Sequence, residues 1–285
     1  MATLALVNRT LPAALVAVLV VLGIAAPGPA QGGESAFRSP ALGDTLLHFE
    51  SYLPPDYATS GKHYPVVYFL HGLPSASDGY RQLGFVENAL AALGHPAILI
   101  VPQGALDGDA DSEYLNLGKG RNWDTALTQE LQRVVDARFR TIPSRQGRAL
   151  IGLSAGGYGA MHLGLEHLNR FSVVESWSGY FHPTDPSGTR SLELGSTKDN
   201  EDANVHRQIA RLKVQLRSLP TFIAFYVGND DNRFAAENKA LNRELSQAKI
   251  EHVFRLYAGG HSNALWARYA TQWLELALAR LAPAQ

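Results

Sequence analysis

The sequence predicts an α/β domain built on a mostly parallel sheet with helices on both faces. Three observations lead there. Short β-branched and aromatic runs alternate with longer stretches of helical spacing along most of the chain. Residues 65–70 and 97–101 are apolar at consecutive positions, as strands covered on both faces must be. Hydrophobic residues make up 46% of the 285, enough for the core of one large domain.

Taken in order, the first thirty residues read as an export signal. Arg9 supplies the positive region, 11–26 is uniformly apolar, and Gly28-Pro29-Ala30 resembles a small-x-small cleavage site. The apolar stretch falls short of the roughly 20 residues that span a bilayer. An uncleaved N-terminal anchor is the alternative, and a buried helix ranks behind both. Residues 31–40 are expected to be a flexible leader, and 41–282 the folded domain. Within it, 45–53 alternates as an antiparallel edge strand would. Strands are expected at 65–70 and 97–101, with a helix at 80–93 between them. Residues 125–139 set Leu127, Leu131, Val134 and Val135 on one helical face. Then follow a strand at 149–151, a helix at 155–168, a strand at 171–177, a helix at 205–216, a strand at 221–227, a helix at 235–248, a strand at 252–257 and a closing helix at 263–281. Two long irregular segments, 103–122 and 178–204, are candidate walls of a substrate pocket.

Composition removes several function classes. Acids number 26 and bases 25, a net charge of −1, so the chain lacks the basic excess with which proteins grip nucleic acid or a membrane surface. Cysteine is absent, which excludes disulfides, zinc–thiolate sites, iron–sulfur clusters and a thiol nucleophile. No Walker A, dinucleotide or H-E-x-x-H pattern occurs, so neither cofactor nor metal is expected. Asp107, Asp109 and Asp111 alternate like calcium ligands. However, Ser112 stands where an EF-hand needs glycine and Gly118 where it needs glutamate, so a solvated acidic loop is the better reading.

The chemistry concentrates at Gly152-Leu153-Ser154-Ala155-Gly156, a G-x-S-x-G nucleophile elbow with an apolar strand before it and a helix after it. The turn projects the serine oxygen above the sheet's carboxyl edge, at the N-terminal end of a helix whose amides favour developing negative charge. A serine hydroxyl needs a base. His261, in Gly259-Gly260-His261-Ser262 after the last strand, fits the chain order Ser…Asp/Glu…His, and His182 is the weaker alternative. The orienting acid should follow the strand at 221–227, where Asp230 and Asp231 are adjacent. One is expected to serve the base and the other to cap the next helix; spacing does not separate them. Backbone amides of Ala155 and of Leu73, just past His71-Gly72, are the candidate oxyanion donors.

With these residues the chain resembles the putative-esterase family of α/β-hydrolases, which includes S-formylglutathione hydrolase (esterase D), feruloyl esterase domains and secreted mycolyltransferases. The resemblance runs from about Tyr52 to Trp273. It rests on Tyr68-Phe69-Leu70-His71-Gly72, on 148–160, on Ser176-Trp177-Ser178-Gly179-Tyr180, on Gly228-x-x-Asp231 and on the histidine loop. It implies the α/β-hydrolase fold, favours Asp231 over Asp230, and implies a cofactor-free serine esterase. Ala155 stands where many relatives carry methionine, Asn263 where many carry an aromatic, and the loop 73–77 lacks a glycine run. These departures line the site, so no relative's substrate carries over. The expectation is a secreted or extracytoplasmic serine carboxylic-ester hydrolase acting on a small-molecule or envelope polysaccharide ester. It would have no nucleic-acid partner and no membrane contact beyond the N-terminal segment. The competing readings are an acyltransferase to an envelope sugar or other alcohol, an inactive hydrolase-fold binding module, and, more weakly, a peptidase.

Overall fold

A computed structural model describes residues 32–72, 78–107, 113–185 and 190–285. The export-signal residues, Leu73, Asp109 and Asp111 lie outside the described residues. In chain order the strands are β1 Gly33–Ser39, β2 Thr45–Tyr52, β3 Val66–Leu70, β4 Ile98–Pro102, β5 Arg148–Leu153, β6 Val173–Trp177, β7 Phe222–Gly228 and β8 Val253–Tyr257. The helices are α1 Tyr57–Ser60, α2 Gly84–Ala91, α3 Trp123–Thr125, α4 Gln132–Arg138, α5 Ala155–Glu166, α6 Thr197–Asp202, α7 Val205–Gln215, α8 Ala235–Ala248 and α9 Asn263–Leu278, with a π turn over Ala126–Leu131 joining α3 to α4.

The strands form one sheet in the order β1-β2-β4-β3-β5-β6-β7-β8. β1 and β2 run antiparallel, as do β2 and β4; the remaining neighbours are parallel. Alternate residues of the central strands enter two cores. Tyr68 and Leu70 join Leu163 of α5, Leu212 of α7 and Leu241 of α8 on one face. Val67 and Phe69 join Val86 of α2 and Trp273 of α9 on the other. Burial on both sides explains why these strands read as continuous apolar runs. From β3 the chain steps outward to β4, then returns to β5 and proceeds the opposite way. That reversal places the β3–β5 crevice where ligands bind in open α/β sheets, outside the carboxyl ends of the strands.

Four expectations change. Residues Gly33–Ser39 are not a flexible leader but strand β1, in register from Gly33↔Ser51 to Ser39↔Thr45. An edge strand draws on backbone pairing, so its polar composition carries no warning. Consequently β2 is the second strand, not the edge. At the other end the chain is held through its last residue: His63 and Gln285 exchange backbone hydrogen bonds of 2.7 and 3.0 Å. The domain boundaries of 41 and 282 are therefore too narrow on both sides. Segment 178–204, read as irregular, also contains α6.

Candidate active site

β5 delivers Ser154 to the turn before α5 with φ 55° and ψ −120°, a left-handed conformation that costs a non-glycine residue energy. Packing on both sides holds it there. The Ser154 amide donates to the Trp177 carbonyl at 2.9 Å, and the Ser154 carbonyl accepts from Tyr158 N–H at 3.1 Å. Gly152 and Gly156 make the turn sterically feasible: a Cβ on Gly156 would run into the Leu70 carbonyl, and one on Gly152 into the Gly156 carbonyl.

The loop after β8 brings His261 over this serine. His261 Nε2 lies 2.9 Å from Ser154 Oγ, and Nδ1 lies 2.8 Å from Asp231 Oδ2. With Asp231 ionised, Nδ1 carries the proton and Nε2 presents its lone pair to the serine hydroxyl, the tautomer a general base requires. Two rings fix the imidazole edgewise: Phe234 at 5.2 Å between centroids and Trp266 at 4.9 Å. Trp266 is itself anchored by its indole N–H, which donates to Ser178 Oγ at 3.0 Å.

Of the two adjacent aspartates, Asp231 turns inward and is 2% exposed, whereas Asp230 faces solvent. The expected division of labour does not hold, because Asp231 performs both tasks. Its Oδ2 meets His261, while Oδ1 accepts from the amides of Arg233 and Phe234 at 3.2 and 3.3 Å and caps the turn into α8. Burial alone would raise this carboxyl's pKa. The His261 hydrogen bond and charge, with the two amides, more than offset it and hold the group below the ordinary carboxylate range.

The Ala155 amide stands in the first turn of α5, where helix N–H groups lack intrahelical partners. β3 ends beside it: a Cβ on Gly72 would lie 3.0 Å from Ser154 Cβ. Leu73, the other expected donor, lies outside the described residues. His182 makes no hydrogen bond to this row among the described residues. Its Nδ1 meets Glu237 of α8 at 2.7 Å.

Sequence reading missed the residues that hold the walls. Glu113, fully buried, accepts from Tyr180 OH at 2.8 Å and Thr184 N at 3.2 Å, tying the two long segments together. Glu237 accepts from Phe181 N at 2.9 Å, and Asn238 Nδ2 donates to the Gly179 carbonyl at 2.7 Å. Tyr180 therefore packs as a fixed ring against Phe234 and Tyr158. The only advance signal was the run Ser176 to Tyr180.

A family model described as "Putative esterase" matches residues 39–273. The chain belongs to the putative-esterase family. An esterase of Mycobacterium tuberculosis is 35% identical over 127 residues, 45% of this chain and 28% of that longer protein. This chain thus spans little more than a quarter of the length of that relative. The MPT51 antigen of Mycobacterium leprae is 31% identical over 182 residues, covering 63% of this chain and 56% of the antigen. An S-formylglutathione hydrolase of Paracoccus denitrificans is 24% identical over 240 residues, 78% and 83% of the two chains. Among solved structures, a ferulic acid esterase superposes with TM-score 0.75 at 22% identity, over 89% of this chain and all of that one. An S-formylglutathione hydrolase from Staphylococcus aureus gives 0.72 at 18% identity, over 87% and 98%. The fold is that of the α/β-hydrolase esterases.

Proposed function

We propose that this member of the putative-esterase family is a serine carboxylic-ester hydrolase that works through an acyl-enzyme. The observation that carries the reading is the hydrogen-bonded row Ser154–His261–Asp231 at a strained strand-to-helix turn. Ser154 Oγ attacks the acyl carbonyl carbon while His261 Nε2 takes the hydroxyl proton, and the carbonyl electron pair moves onto oxygen. The Ala155 amide, joined by that of Leu73, receives this oxyanion. Collapse expels the alcohol, which leaves with the proton from Nε2. Water, deprotonated by the same nitrogen, then attacks the acyl carbon, and Ser154 departs with the proton. Throughout, Asp231 keeps Nδ1–H oriented and offsets the imidazolium charge.

A fluorophosphonate probe should label the wild type at Ser154, and Ser154→Ala should lose p-nitrophenyl acetate hydrolysis by about 10⁴-fold or more. Unchanged turnover in that variant would remove the assignment. An alcohol can replace water in the second step, so product partition with and without glycerol separates hydrolysis from transfer. The pattern of residues 9–30 supports an extracytoplasmic location. It is tested by finding the chain outside the membrane with its N-terminus beyond Ala30.

A further inference from the structure

At the amino ends of β5 to β8, the edge of the sheet opposite the triad, lies a pocket of about 360 Å³. From Phe222 on its wall, β7 alone carries the chain about 20 Å to Gly228, at about 3.3 Å per residue, with Asp231 beyond. The pocket is therefore separate from the point where a bond would break. Arg145, Ser172, Thr221, Phe222 and Arg280 line it. A second pocket of about 340 Å³ adjoins it through Pro220, Thr221 and Glu251, and adds Lys213, Arg217 and Lys249.

Arg145 carries a charge without a counter-ion. Its Nε donates to the Leu168 carbonyl at 2.8 Å, and Nη2 to the Phe171 and Pro220 carbonyls and to Thr221 Oγ1. All four acceptors are neutral, and Nη1 makes no hydrogen bond among the described residues. Burial lowers the guanidinium's pKa, and no carboxylate offsets it. In the same wall Ser172, 8% exposed, has a hydroxyl with no hydrogen-bond partner among the described residues. Arg280 is exposed but oriented, its guanidinium 5.3 Å from the centre of the Phe222 ring. Lys213, Arg217 and Lys249 are exposed too. None of these five cations belongs to an ion pair among the described residues. The opposing charge is Glu251, exposed and common to both walls. His252 is engaged through both ring nitrogens, with the Ile250 carbonyl and Asn242. Five cations thus face one carboxylate, in a chain whose net charge is −1. Such an excess selects an oxyanion, and phosphate oxygens suit the guanidinium fork. Four of the cations stand exposed, within reach of a flat membrane or a rigid duplex. Arg145 is half-buried in the recess, and only a thin, flexible chain can reach it while touching the other four.

We propose that the two pockets together bind a flexible linear polyanion bearing phosphate groups. One phosphate meets Arg145 Nη1 and Arg280, and its neighbours follow Lys213, Arg217 and Lys249. The site and the triad lie at opposite edges of the sheet, so the proposal goes beyond the esterase reading and does not need it. The test is calorimetric titration of the full chain with sodium polyphosphate at several salt concentrations. Neutralising all five cations gives a slope of log K against log salt of about −3.5, at about 0.7 per charge on a flexible strand. Raising salt from about 50 to about 200 mM should then weaken binding about 100-fold. Arg145→Gln should weaken it about tenfold or more. The double variant Arg217→Gln with Lys249→Gln should bring the slope to about −2. If Arg145→Gln fails to fold, Arg280→Gln takes its place, because that side chain is exposed. No saturable binding to the wild type, or an unchanged Kd and slope in the folded variants, overturns the proposal. So does tighter binding to phosphatidylglycerol vesicles or duplex DNA than to polyphosphate. The same preparations are assayed on p-nitrophenyl acetate, where saturating polyphosphate and the substitutions should leave hydrolysis unchanged. Inhibition by polyphosphate would place the anion at the triad and overturn the site. Polyphosphate binding in a preparation without ester hydrolysis removes the esterase reading alone.

Discussion

Replacing Glu175 by glutamine should stop the domain from losing stability as the pH rises. Glu175 sits on β6 at 0% exposure, with the Trp177 indole N–H donating to Oε2 at 3.1 Å and Tyr226 OH at 3.2 Å from Oε1. Burial pushes its pKa from 4.5 up to about 8, and the two hydrogen bonds offset only part of that. An acid whose pKa is raised on folding holds its proton more tightly in the folded chain. Its contribution is full below about pH 4.5 and is lost as pH climbs to 8. At about 1.4 kcal/mol per pH unit, the wild type should lose roughly 4 kcal/mol between pH 5 and pH 8 from this group alone. That is a large share of the 5–15 kcal/mol that holds a typical domain together. Glutamine reproduces the protonated acid: its oxygen accepts from Trp177, and its amide donates to a Tyr226 hydroxyl that rotates to accept. The assay is urea unfolding of both proteins from pH 5 to 9, read as the difference in midpoint stability, so that other titrating groups cancel. Parallel pH profiles would refute the reasoning. The consequence reaches the site. The carbonyl of Trp177 holds the Ser154 amide and that of Tyr226 holds the Ser178 amide, so ionising Glu175 loosens the support of the nucleophile turn.

Asp231→Asn should lower kcat on p-nitrophenyl acetate by about 10⁴-fold, because the amide favours the wrong imidazole tautomer, while Asp230→Asn should stay within a few-fold; equal losses would reverse the assignment of the acid. Gly156→Ala drives a methyl into the Leu70 and His71 carbonyls, and should cost about 3 kcal/mol or more in urea unfolding or prevent folding outright. For Glu237, burial raises the carboxyl's pKa, but His182, His206 and the Phe181 amide outweigh it and bring it down to about 2. Its stabilisation is full above pH 4.5 and is lost as pH falls toward 2, about 3 kcal/mol in all. Glu237→Gln should flatten that acid limb of the stability profile, and a limb as steep as the wild type's would count against the contact.

Local chemistry was legible without coordinates. The elbow glycines, the apolar strand before Ser154 and the helix after it satisfy steric demands that operate within a few residues, so a short window of sequence records them. The parallel sheet was legible for a related reason, since burial on both faces leaves an unbroken apolar run in each central strand. Polar edge strand β1 gave no such signal, because its stability comes from backbone pairing with β2, from Ser39↔Thr45 out to Gly33↔Ser51, and not from an apolar pattern of its own side chains.

By itself, then, the sequence determined which residue types could do chemistry here and on which turns they sit: a serine at a sharp elbow, a histidine after the last strand, and one of two neighbouring aspartates. Only the tertiary structure decided between Asp231 and Asp230, by turning one carboxylate into the core against His261 and leaving the other in solvent. It also decided that Glu113 and Glu237 grip the segment carrying Tyr180, and that Trp266 and Phe234 frame the imidazole. The physical reason is range. Periodicity and turn sterics are local and written in order along the chain. The direction of a side chain in an irregular loop, and the partner it finds, follow from packing among segments the sequence lists far apart.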